Sequence, residues 1–248
     1  MEYKKEHDQK IEAGEIVVKN RFFTWLDNFW YHHKWGVIVV SFFLFLGIVC
    51  FAQCSSKPDG DVMVAYAGGY TLNSEERNNI VQVLESIAPE KGDSGKTLTL
   101  LLNDFSVYTE DELKKLYTDD AGELVVSAYN NAKQVNKDNL KTFGTYVMTG
   151  ECGVWFVSEY VYKQQNLSKL AVPLSELYGD KIPSGAYDDY AVRLAETELY
   201  QYYDVLKVLP EDTLIVLPQS FVWGSSANQE VYNEFKELYL AILSFKKP

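Results

Sequence analysis

The hydrophobic pattern changes character twice along the chain. Residues 1–20 mix both charge signs with no sustained period and read as a polar tail. From Arg21, the apolar side chains Phe22, Trp25, Leu26, Phe29 and Trp30 recur at helical spacing with Asp27 and Asn28 off that face. This predicts a helix lying in a membrane interface. Residues 36–52, GVIVVSFFLFLGIVCFA, carry no charge. As a helix they span about 25 Å, enough to cross a bilayer with Trp30 and Trp35 in the headgroup layer.

Beyond Asp61 the pattern alternates between short β-type runs and amphipathic helices. Strands are predicted at 61–67 (DVMVAYA), 96–102 (KTLTLLL), 154–158 (VWFVS), 187–194 and 213–217 (TLIVL). Asn73 with Glu76, and Thr109 with Glu112, have capping-box spacing and open helices running to about residues 88 and 117. Further helices are predicted at 122–133, 137–149, 159–165 and 198–209. A last one is capped by Ser226 with Gln229 and presents Val231, Phe235, Leu238, Tyr239 and Ile242 on one face. The alternation predicts an α/β domain, a mixed and largely parallel sheet flanked by helices. The chain thus divides into a cytoplasmic arm (1–35), a transmembrane helix (36–53), a turn-rich tether (54–60) and an α/β domain (61–248).

A cleaved signal peptide has a short basic region directly before its apolar core, whereas about 35 residues precede this one. Neither Cys50, after Val49, nor Cys54, after Gln53, follows the small residue that lipoprotein processing needs. The segment therefore reads as a retained single-pass anchor. Lys4, Lys5, Lys10, Lys19, Arg21 and Lys34 precede it and only Lys57 closely follows, which places the N-terminus in the cytoplasm and the domain outside.

Charge sharpens this division. The first 52 residues hold 6 basic and 6 acidic side chains, leaving 17 of the 23 basic and 29 of the 35 acidic residues beyond them. A domain this acidic is a poor nucleic-acid binder, because neutralising phosphates takes clustered Lys and Arg. His7, His32 and His33 all precede the membrane run. The exported domain thus has no Ser-His-Asp or Cys-His nucleophile pair and no histidine-ligated zinc. The three cysteines, Cys50, Cys54 and Cys152, rule out a disulfide framework, and Cys152 reads as a small buried hydrophobe, with a bridge to Cys54 as the alternative.

The candidate chemistry is sparse. Residues 90–97, EKGDSGKT, imitate a phosphate loop, but Glu90 replaces the first glycine and the segment precedes a strand. Asp119-Asp120, Asp188-Asp189 and Glu211-Asp212 lack the alternating ligands of a calcium loop and read as solvated turns. Sixteen of the 18 tyrosines lie in the exported domain, where they suit core, rim or ligand contacts. Ligands of open α/β sheets sit beyond the carboxyl ends of the strands. That rule makes Gly68, Gly69, Tyr70, Asp104, Glu159 and Trp223 the candidate ligand-binding residues, with no catalytic residue, metal or cofactor expected.

Residues 148–158, MTGECGVWFVS, with Tyr160-Val161-Tyr162 and Leu170-Ala-Val-Pro-Leu174, resemble part of the extracellular solute-binding proteins of the periplasmic-binding-protein-like type II class. The stretch 27–35, DNFWYHHKW, resembles uncharacterised membrane proteins of Gram-positive, clostridia-type bacteria. The resemblance implies a solute-binding-like fold, although about 190 exported residues are fewer than a two-lobe receptor has. No functional residue carries over. The expected function is a membrane-anchored, extracytoplasmic ligand- or partner-binding domain. Its expected partners are the lipid bilayer and a small-molecule ligand or neighbouring membrane protein. The alternatives are an accessory subunit of an envelope complex and a carboxylate-dependent hydrolase. A concave strand-end pocket favours the ligand reading, whereas a filled sheet end with an exposed apolar patch favours the accessory reading.

Overall fold

The computed structural model describes residues 21–55, 60–90, 96–221 and 224–247. The tail, most of the tether, most of the 90–97 loop and Trp223 lie outside them. The chain forms two compact units, Met1–Lys57 and Pro58–Pro248.

The described residues of the first unit form one helix, α1 (Arg21–Ser55), in which the two predicted segments run together without a break. Its stretch Phe29–Cys50 is long and apolar enough to cross a membrane. Large side chains such as Phe43 and Phe45 stand exposed along it.

In the second unit β1 (Val62–Gly68), α2 (Ser74–Ile87), β2 (Leu100–Ser106), α3 (Glu110–Leu116), α4 (Val126–Thr149), β3 (Val154–Ser158) and α5 (Glu159–Gln164) follow in order. Then come α6 (Leu174–Tyr178), β4 (Ala191–Arg193), α7 (Glu198–Tyr202), β5 (Thr213–Val216) and α8 (Gln229–Ser244). The five strands form one sheet in the order β2-β1-β3-β5-β4. Side chains of β1 alternate between its faces: Val62, Val64 and Tyr66 enter a core closed by α2 and α8. Ala65 and Ala67 enter a second core with Phe143, Trp155 and Val161 beneath α4 and α5.

The sheet is mixed, as expected, with β5 running against the other four strands. β1 pairs in parallel with β2 and β3, but β5 runs antiparallel to both β3 and β4. The expected helix at 198–209 is broken into the five residues of α7 and a 3-10 turn, Asp204–Val208. Pieces this short do not carry the chain back along the sheet, so β5 begins at the end where β4 stops, with Arg193 opposite Leu214.

Three boundaries also differ from expectation. β2 lies four residues later than 96–102, because an edge strand tolerates the polar pair Asn103-Asp104. The helices at 122–133 and 137–149 are one helix, α4, since the Asn136 side chain bonds outward to Tyr108 rather than to its own backbone. At the start of α8 the capping side chain is that of Asn228, while the expected cap Ser226 is buried and accepts the Phe221 N–H.

Candidate functional site

The chain leaves β1 for β2 on one side and later returns to β3 on the other, so β1 and β3 flank the topological switch point where open α/β sheets place ligands. Gly68 ends β1, Gly69 follows it, and Glu159 follows the last residue of β3. The space between them is occupied. A Cβ at Gly68 would stand 2.8 Å from the Tyr66 hydroxyl, and one at Gly69 would stand 3.0 Å from Glu112 Oε1. Tyr66 is 1% exposed, and its hydroxyl, beside the Tyr70 backbone, makes no well-aligned hydrogen bond. Burial, then the Asp212 and Glu112 carboxylates, push its phenol far above the ordinary value.

Glu159 is held by Arg193 Nη2 at 2.7 Å and Lys163 Nζ at 3.2 Å. Burial alone would raise its carboxyl, but hydrogen bonds from Arg193, Lys163 and Tyr187 outweigh it and hold the group below the ordinary carboxylate range. Asp212 is exposed, close enough to Glu159 and Glu112 to feel their charges. Partial desolvation, with Glu112 and Glu159 nearby, raises its carboxyl.

Tyr70 and Asp104 do not join this crevice. The Tyr70 hydroxyl turns away to donate to Glu76 Oε1 at 2.8 Å. Asp104 faces Arg77 across the β2 edge, accepting at 2.8 Å from Nε and 2.5 Å from Nη2. Trp223 lies outside the described residues. The strand that leads to it, β5, ends with Val216 opposite Trp155, at the end of the sheet away from Ser158. The expected cleft shared by all strand ends is therefore divided.

A groove of about 730 Å³ opens instead beside the carboxyl end of β2, between α3 and α4. Its floor is polar and cross-linked. Thr71 Oγ1 lies 2.7 Å from Ser106 Oγ and 3.0 Å from the Tyr108 hydroxyl. The Asn136 side chain accepts the Tyr108 N–H at 2.7 Å and donates to its carbonyl at 2.9 Å, and Asn139 donates to the Ser106 carbonyl at 2.9 Å. Its walls are apolar: Ala128, Ala132 and Val135 recur along α4 at one-turn spacing, facing Leu113 and Leu116. Leu116 is 59% and Val135 58% exposed. The small-residue spacing on α4 was readable in the sequence, but its exposure was not, because α3 stops after two turns and leaves that stripe uncovered.

Cys152 is a free, buried thiol pushed up to about 12 by burial, with Glu151 adding to it. Among the described residues no group of three His, Cys, Asp or Glu side chains is placed to hold a metal ion. Compared with known protein families, curated proteins and solved structures, the chain matches none.

Proposed function

We propose that this protein is a single-pass, membrane-anchored binding domain, with a cytoplasmic N-terminus and an extracytoplasmic α/β domain that recognises a neighbouring envelope protein. The groove between α3 and α4 carries this reading. A hydrogen-bonded floor fixes its shape, and exposed Leu116 and Val135 offer apolar surface on its walls. The occupant we assign is an amphipathic peptide segment, apolar side against Val135 and polar side toward solvent. The filled crevice between β1 and β3 supports a partner over a small molecule at the strand ends. Lysine and arginine asymmetry around α1 supports the orientation.

The test is peptide display against the full-length protein in lipid nanodiscs. Enriched amphipathic peptides are expected to bind tenfold or more weakly to Val135→Asp, an exposed substitution that leaves the fold intact. Failure to enrich any peptide, or equal binding to the variant, sinks the reading.

A carboxylate-dependent hydrolase is the second reading. It draws on Asp212 and Glu159, neighbours whose carboxyls are pushed in opposite directions, as an acid and base pair requires. Glu159 is already engaged by the Arg193 guanidinium, which supports the non-catalytic assignment.

A further inference from the structure

On the flank of the domain a separate cavity of about 560 Å³ opens between the end of α5 and the hairpin leading into β4. Tyr162, Lys163, Asn166, Ser168, Tyr187 and Asp188 line it. One wall is rigid. Asp188 Oδ2 accepts the Tyr162 hydroxyl at 2.8 Å, and Oδ1 accepts the N–H groups of Tyr190 and Ala191 at 2.8 and 3.0 Å. The ring of Tyr187 stands edge-on to that of Tyr162, with centroids 5.9 Å apart. The Lys163 ammonium lies 5.5 Å from the Tyr187 centroid at the mouth and is paired with Glu159 Oε2 at 3.2 Å.

Two polar groups in the cavity are unspent. Neither the Asn166 amide nor the Ser168 hydroxyl hydrogen-bonds to another protein group among the described residues. Asn166 also adopts φ 50°, the left-handed turn that follows α5, and it is the one non-glycine residue among those described to do so. Glycine takes that conformation at lower cost. Asparagine there places an amide, with two donors and an acceptor, on a cavity that the fold does not need it to fill.

We infer that this cavity binds a saccharide of one or two rings. Its volume lies within the range of small-molecule sites. A sugar presents hydroxyls that both donate and accept, matching the Asn166 amide and the Ser168 hydroxyl, and C–H groups that pack against the part of the Tyr187 ring left uncovered by Arg193 and Lys163, which lie over it at 4.9 and 5.5 Å. The carboxylate in the wall is engaged by Tyr162, Tyr190 and Ala191, so it fixes the shape of the site.

The experiment is saturation-transfer NMR and calorimetry on the full-length protein in nanodiscs, titrated with glucose, N-acetylglucosamine, maltose and glucuronate. At least one is expected to bind saturably. Asn166→Gly keeps the left-handed turn, so its melting temperature should equal or exceed that of the parent while affinity falls tenfold or more. Ser168→Ala should weaken the same ligand. The inference is overturned if none of the four binds, or if the Asn166→Gly, Ser168→Ala double variant binds as the parent does. It is also overturned if Asn166→Gly lowers the melting temperature, since the side chain would then serve the fold. The Val135→Asp variant should leave sugar binding unchanged, which separates this site from the groove.

Discussion

At the residue scale, the identity of position 68 is dictated by a tyrosine two places earlier. Tyr66 alternates into the core from β1 and carries its hydroxyl up to the turn, 2.8 Å from where a Cβ on Gly68 would lie. Backbone conformation is not the cause, since Gly68 does not appear among the positive-φ glycines, which are Gly122, Gly150, Gly179 and Gly224. Gly68→Ala is therefore expected to cost about 1–3 kcal/mol through overpacking. Tyr66→Phe alone should change stability little, because the hydroxyl it removes lacks a well-aligned partner. Combined, Tyr66→Phe should recover most of the loss from Gly68→Ala. Denaturant unfolding of the four proteins measures this coupling, and strictly additive effects would show that the two groups do not meet.

At the scale of elements, the parts legible in the sequence are those fixed within a few residues of themselves. Asn73 caps α2 and Thr109 caps α3, each with its glutamate returning the bond, as the spacing predicts. Asn73→Ala and Thr109→Ala should each cost about 1 kcal/mol, read as a lowered unfolding midpoint in denaturant. Equal stability of either variant would mean that water replaces the cap at no cost. The apolar strands β3 and β5 were equally legible, because all their residues are buried. What depends on distant partners was not. Asp104 can lie inside β2 because Arg77, 27 residues away, neutralises it. The break after α7 that turns β5 antiparallel leaves no periodic signal. At the candidate site, the rule of strand ends reaches only the places of Gly68, Gly69 and Glu159 at the ends of β1 and β3. The groove was hidden because its floor joins Thr71, Ser106, Asn136 and Asn139 across three elements.

At the scale of the whole molecule, the response to acid follows from two neighbouring carboxyls with opposite signs. The net charge of −12 lies beyond the first 52 residues, and its self-repulsion relaxes on acidification. Glu159 is held below the ordinary value of 4.5, so its stabilisation is fully present above that value and is lost as pH falls through the depressed one. Asp212 is raised above the ordinary value of 3.8, so its ionised form costs stability above the raised value, and the cost fades as pH falls toward 3.8. Glu159→Gln should lose about 1 kcal/mol near pH 7, because Arg193 and Lys163 lose their shared carboxylate. Asp212→Asn removes a charge from beside Glu112 and Glu159 and should gain about 0.3 kcal/mol at the same pH, a small figure because the residue is exposed. Both differences should shrink toward zero in acid, from opposite sides. Unfolding midpoints near neutrality and in acid decide this. Two variants that shift the same way, or by amounts independent of pH, would mean that the Arg193 contact and the desolvation at the end of α5 do not govern these groups.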